Sequence, residues 1–371
     1  MGNLFDKLNP AQQEAVTHVN GPLLVIAGAG SGKTRVLTCR IAYLLQQGVP
    51  PWNILAITFT NKAAGEMKER VHAMVGDRAK DIWLSTFHAF CAKFLRFEID
   101  HLPGYNRNFV IYDSGDSQAL IKSCLKLLNL DDKHFPPAGV QASISNAKNA
   151  LQDYRTYGQQ AGSFYEQKVA EVFELYQQKL RLNNAVDFDD LLLLSVQLLQ
   201  SSPEVLAKYQ DKFRYILIDE YQDTNRTQYL MAQLLAAKHR NIFVVGDVDQ
   251  SIYAWRGADI RNILDFEADY PEARVVKLEQ NYRSTQNILN AANALIENNL
   301  DRKPKSLWTE NPTGEPITRY LAMDERDEAR FICDTIIKQN TVYRVPYRDM
   351  AVLYRTNAQS RVIEEAFMRA G

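Results

Sequence analysis

The chain has 371 residues, 46% hydrophobic and 23% charged, which suits a globular protein with a large core and roughly two to three domains. Its 43 basic and 44 acidic side chains nearly cancel, so any contact with nucleic acid must come from a local groove rather than a basic total. No apolar run has the length of a membrane span, MGNLFDKLNP carries no signal-peptide pattern, and Cys39, Cys91, Cys124 and Cys333 show no CxxC spacing; they read as small buried hydrophobes in a reducing compartment.

The apolar run Leu23–Ile26 leads into AGAGSGKT, Ala27–Thr34. A buried strand feeding a glycine-bearing loop that ends in Gly-Lys-Thr is how a chain builds a cradle for a nucleoside triphosphate. Along Gly28, Ala29, Gly30, Ser31 and Gly32, the three glycines let backbone N–H groups close around phosphates. Lys33 can reach the β and γ oxygens, and the Thr34 hydroxyl can hold Mg²⁺. The following helix turns its positive end to the anion. The general pattern opens with Gly, where this chain has Ala27.

Further strand–helix units follow. Ile54–Thr60 leads to a helix near Lys62–Val75, and Ile82–Thr86 to a helix through Phe97. This alternation predicts a parallel sheet wrapped by helices. From about Asn106 to Asn184 the pattern turns helical and polar, broken by Pro136-Pro137 and Gly158, and reads as an insertion. The sheet resumes at Tyr215–Ile218 and Ile242–Val245. A second series starts near Thr285, with strands expected at Ile317–Leu321 and Ala351–Tyr354 and a helix at Ser360–Ala370. The proline-bearing stretch Arg302–Gly314 reads as a connecting loop.

YILIDEYQD, Tyr215–Asp223, ends a strand in two carboxylates at the sheet edge where ligands gather. Asp219 is expected to hold Mg²⁺ through water, and Glu220 to orient and deprotonate the attacking water. The plainer reading is an acidic turn capping the next helix. In GDVDQSIYAWRGA, Gly246–Ala258, Gln250 follows a strand and falls beside the γ-phosphate position. Tyr253, Trp255 and Arg256 offer rings and a cation suited to stacked bases of a single strand, against the commoner alternative of core packing. Asp189 and Asp190 read as helix caps rather than a second metal site.

These motifs, in this order, resemble the UvrD/PcrA/Rep family of superfamily 1 DNA helicases over nearly the whole chain. The resemblance accounts for Ala27, since AGAGSGKTR is the family's own form of the loop. It implies that Gln12 of LNPAQQEAV contacts adenine and that Arg35 lies against the nucleotide. It implies that TFTNKAAGEM (Thr58–Met67) and STFHAF (Ser85–Phe90) line a single-strand groove with Phe59, Asn61, Lys62, Thr86 and His88. VDFDDLL (Val186–Leu192) would mark the return from the insertion. In LEQNYRST (Leu278–Thr285), Tyr282 would stack on adenine and Arg283 reach the γ-phosphate.

The implied fold is α/β: a RecA-like P-loop NTPase sheet (domain 1A, residues 1–105 and 188–280) with a helical insertion (1B, 106–187), followed by an incomplete second RecA-like domain (2A, 281–371). The implied activity is ATP- and Mg²⁺-dependent 3′→5′ translocation on single-stranded DNA and unwinding of duplex DNA, in the cytoplasm at the nucleoid. The family's later motifs do not precede Gly371, so the chain is expected to be an N-terminal part with feeble activity. Two other readings are an ATP- and DNA-binding fragment without unwinding, and a P-loop kinase of a small substrate.

Overall fold

The computed structural model describes residues 5–299 and 303–371, and Arg256 by its backbone alone. Arg302 and the Arg256 side chain therefore lie outside the described residues. Backbone contacts divide the chain into two compact units, Met1–Pro312 and Thr313–Gly371.

The first unit is built on a parallel sheet. Its strands are β1 (Leu23–Ala27), β2 (Ile54–Thr58), β3 (Trp83–Thr86), β6 (Tyr215–Ile218), β7 (Ile242–Gly246) and β8 (Arg274–Leu278), with β4 (Val110–Ile111) and β5 (Ala185–Val186) forming a separate pair. The order across the sheet is β3-β2-β6-β7-β1-β8. Strands β1, β2 and β7 are buried along their whole length, as continuous apolar runs are when helices cover both faces. Alternation sends Leu24 and Ile26 into a core with Phe90, Phe94 and Tyr209 on one face. Leu23, Val25 and Ala27 join Val36, Leu37, Leu44 and Met67 on the other. The expected strands fall in this sheet, and β8 is an addition. Its sequence RVVKL mixes charges with two valines because it lies at the sheet edge, partly exposed.

The insertion is helical as expected, with helices at Ser114–Leu127, Pro137–Asn149, Tyr154–Gln160 and Phe164–Leu182. It has its own core, including Ile121, Val140, Ile144, Val172 and Phe173. The short parallel pair β4–β5 ties its two ends together. At its exit Asp187 caps the helix Phe188–Ser201, accepting from the Asp190 N–H at 2.7 Å while Asp190 accepts from the Asp187 N–H at 3.3 Å. The cap thus rests on Asp187 with Asp190 in support, while Asp189 accepts from Asn149 Nδ2 at 3.0 Å.

In the second unit the helices Glu325–Thr341 and Ser360–Ala370 pack together and bury Cys333 and Ile363. Tyr320 stacks on Phe331 with ring centroids 4.0 Å apart. The strands expected at Ile317–Leu321 and Ala351–Tyr354 are not formed: both segments are irregular. An apolar run becomes a strand only when a neighbour takes its N–H and C=O groups, and neither segment pairs with another among the described residues. Leu321 and Leu353 stand 83% and 93% exposed.

Candidate nucleotide and nucleic-acid site

Ala27 is the last residue of β1, fully buried and extended, so that position has no need of glycine. The turn that follows does. Gly30 and Gly32 have φ of +67° and +87°, a region L side chains avoid. A Cβ on Gly30 would also stand 2.6 Å from Asn281 Nδ2 and 2.8 Å from Arg283 Cβ. The loop delivers the helix Lys33–Gln46, whose first turn carries Lys33, Thr34 and an exposed Arg35. Its start opens onto the same edge as the β6 carboxylates, for Lys33 Nζ lies 3.0 Å from Glu220 Oε2.

Gln12 is fully buried beneath the loop. Its Nε2 donates to the Ser31 carbonyl at 2.8 Å. Asn9 caps the helix Pro10–Thr17 through the Gln12 N–H, and its Nδ2 donates to the Tyr282 hydroxyl at 2.9 Å. Tyr282 is 44% exposed, and its backbone N–H donates to the Gly30 carbonyl at 3.0 Å. Asn281 Nδ2 donates to the Ala29 carbonyl at 2.6 Å. The segment 280–284 is therefore hydrogen-bonded directly onto the loop, with Arg283 exposed beside it. Asn9 and Asn281 are part of this arrangement, although neither stands out within its sequence motif. Their signal, an asparagine capping a turn, is too common to stand out.

Asp219 is buried, and burial, then the charge of Glu220, pushes its carboxyl up to about 7 against the pull of Lys33. Glu220 sits in the left-handed region at φ +51°, an uncommon backbone for a residue with a side chain. Gln222, nearly inaccessible, joins the parts together. Its Nε2 donates to Glu220 Oε2 at 3.0 Å and to Asp223 Oδ2 at 3.1 Å, and its Oε1 accepts from the Asp247 N–H at 2.9 Å. Gln250 Nε2 donates to Asp247 Oδ2 at 2.5 Å. A continuous polar run thus joins Lys33, Glu220, Gln222, Asp247 and Gln250. Burial and Glu220 also raise the Asp223 carboxyl to about 6.

Just beyond Gln250 the rings of Phe59 and Tyr253 lie 4.9 Å apart, and those of Tyr253 and Trp255 6.4 Å apart. Trp255 is 71% exposed, which sets aside the core-packing alternative for that residue. Asn61 and Lys62 open the helix Asn61–Val75 and are exposed. Thr86 caps the helix Phe87–Glu98 and donates to Asn61 Oδ1 at 3.4 Å. Burial lowers the pKa of His88, and its ring lies 5.8 Å from Phe188, itself 52% exposed. Phe188 was passed over because a phenylalanine opening a helix reads as core.

Fold and site together define a P-loop nucleotide-binding protein with a ring-lined surface beside its phosphate cradle. The chain belongs to the UvrD/Rep helicase family: the UvrD/REP helicase N-terminal domain matches residues 8–271 and the UvrD-like helicase C-terminal domain residues 276–371. It is 56% identical over 371 residues to the ATP-dependent DNA helicase PcrA of Staphylococcus aureus (strain NCTC 8325 / PS 47), covering 100% of this chain and 50% of that protein. With PcrA of Bacillus subtilis (strain 168) it shares 55% over 369 residues, 99% of this chain and 50% of that protein. With PcrA of Staphylococcus epidermidis (strain ATCC 35984) it shares 54% over 371 residues, 100% of this chain and 51% of that protein. The chain spans about half the length of these curated relatives.

Proposed function

We propose that the chain is the nucleotide- and strand-binding part of an ATP-dependent 3′→5′ DNA helicase. Residues 1–105 and 188–280 correspond in this reading to domain 1A, 106–187 to 1B, and 281–371 to the start of 2A. The observation that carries it is the polar run from Lys33 through Glu220, Gln222 and Asp247 to Gln250, which ends at the segment bearing Tyr253 and Trp255. A shift at the phosphates reaches the ring surface along these bonds.

The residues fit Mg²⁺·ATP. The left-handed glycines open the cradle, and a buried carboxylate and a threonine stand beside it. Thr34 and Asp219 would hold the metal, Asp219 through water, and the ion supplies charge neutralisation at the phosphate oxygens. Lys33 exchanges Glu220 for the β and γ oxygens. Glu220, so released, orients and takes a proton from the attacking water. Arg35 lies against the nucleotide, Arg283 and Gln250 meet the γ-phosphate, Tyr282 stacks on adenine, and Gln12 contacts adenine by exchanging one of its bonds to Ser31 and Asn9. Single-stranded DNA stacks on Phe59, Tyr253 and Trp255, with Asn61, Lys62, Thr86, His88 and Arg256 along the backbone, and Phe188 as a further ring. Duplex DNA is the substrate of the whole motor, which works on DNA in the cytoplasm.

Fluorescence anisotropy with a labelled mixed-sequence single strand tests this directly. Tight, salt-dependent and sequence-tolerant binding is expected. Absence of binding would contradict the assignment of the ring-lined surface to single-stranded DNA.

A further inference from the structure

Lys305 lies within the stretch expected only to connect two domains, and its side chain is 2% exposed. Its ammonium sits 2.6 Å from Asp247 Oδ1 and also pairs with Asp249. The other oxygen of Asp247 accepts the Gln250 amide. One carboxylate therefore carries both a buried lysine from 58 residues further along the chain and the side chain assigned to the γ-phosphate. The same short segment reaches the phosphate loop. A Cβ on Gly28 would fall 2.0 Å from Leu307 Cδ2, so Leu307 lies directly against that glycine. The Trp308 carbonyl accepts from the Asn281 N–H at 2.8 Å, and Asn281 in turn donates to Ala29. Residues 305–308 thus hold the Gln250 turn at one end and the phosphate loop at the other.

The chemistry gives this a direction. Burying a lysine is costly unless carboxylates meet it, and the buried carboxylate of Asp247, with the partly buried one of Asp249, equally needs a cation. An uncompensated Asp247 would hold the Gln250 N–H strongly, because a charged acceptor bonds about twice as strongly as a neutral one. With Lys305 donating to Oδ1, the charge on Asp247 is shared and Oδ2 becomes a weaker acceptor. The amide can then exchange Asp247 for a phosphate oxygen.

We propose that Lys305 is a positioning residue for recognition of the terminal phosphate. It fixes and neutralises Asp247 so that the Gln250 amide passes from Asp247 to the γ-phosphate, and it ties that exchange to the phosphate loop through Leu307. The inference rests on the nucleotide site described under the proposed function.

The test is equilibrium binding of ADP and of the β,γ-imido analogue of ATP to the 371-residue chain with Mg²⁺, read as the ratio of the two affinities. Wild type prefers the ATP analogue. Lys305→Met reduces that preference about tenfold, the worth of one hydrogen bond to a charged group, and leaves ADP affinity within about twofold. Gln250→Ala produces the same loss, and the double variant loses no more than either single one, because the two residues act through one carboxylate. Lys305→Arg retains most of the preference. A purely structural lysine would lower melting temperature and both affinities together, with no change in the ratio. If Lys305→Met does not fold, Lys305→Met combined with Asp247→Asn removes both buried charges together; a neutral amide at position 247 holds Gln250 only weakly, so this variant is expected to keep the preference, and its loss would overturn the proposal. An unchanged ratio in folded Lys305→Met, additive losses when it is combined with Gln250→Ala, or a wild type without preference overturns the proposal. Failure of the wild type to bind either nucleotide overturns the nucleotide site itself, and this proposal with it.

Discussion

Lys33 rests on Glu220 at 3.0 Å, and this pair must open before either residue can act on a nucleotide. Glu220→Gln therefore leaves Mg²⁺·ATP affinity at least as high as in wild type, because the lysine is released, while hydrolysis stops for want of a base. Fluorescent-nucleotide titration and single-turnover hydrolysis separate the two effects, and parallel loss of both would make Glu220 a structural or metal-holding group. Trp255→Ala weakens single-strand binding by about 1–3 kcal/mol, whatever the base sequence, since every base offers a face to stack on. Its 71% exposure means that stability changes far less than the roughly 3–5 kcal/mol of a core tryptophan. A large fall in melting temperature with unaltered strand affinity would contradict this. Lys33, Asp219, Glu220, Gln250 and Trp255 stand out as candidates in the sequence because each lies in a short contiguous motif. Gln222, Asn281 and Lys305 do not, because their partners lie 25, 252 and 58 residues away, and such placement depends on the sheet order.

The helix Phe188–Ser201 begins where the insertion rejoins the sheet, and its first turn is fixed by a buried charge. Lys148, wholly inaccessible, lies 2.7 Å from Asp187 and 2.8 Å from Asp190, and the two carboxylates raise its pKa against the cost of burial. Asp190 is pushed up to about 6 by burial and by Asp187, with Lys148 opposing. Lys148→Met removes that opposition and leaves two buried carboxylates uncompensated, at a cost of about 3–5 kcal/mol. Asp190 then binds a proton more tightly folded than unfolded, so the native state gains a proton and stability as pH falls. Urea midpoints of the variant are expected to rise from about pH 8 to about pH 5, and a pH-independent loss would contradict the account. At this scale β1, β2, β6 and β7 could be read from sequence because burial on both faces makes them continuous apolar runs. Strand β8 escaped because an edge strand mixes charge with valine. Ala351–Tyr354 is a continuous apolar run and Ile317–Leu321 an apolar stretch broken by Thr318 and Arg319, yet both stay irregular, since the strand state belongs to a pair and not to a segment.

At the scale of the molecule, the phosphate loop, the acidic strand end and the ring surface belong to one compact unit, Met1–Pro312. Lys33, the acidic strand end and the Gln250 turn are joined by an ion pair and hydrogen bonds, and the ring-bearing segment follows Gln250 in the chain. In the proposed function, nucleotide and single strand read each other through this run. Linkage then requires that each ligand change the other's affinity by the same factor. The decisive measurement is single-strand affinity of the 371-residue chain with and without the Mg²⁺-loaded β,γ-imido analogue of ATP, paired with nucleotide affinity with and without the strand. The account predicts a shared factor of about fivefold or more that disappears in Gln250→Ala. Two ligands that bind tightly yet leave each other's affinity unchanged would contradict it.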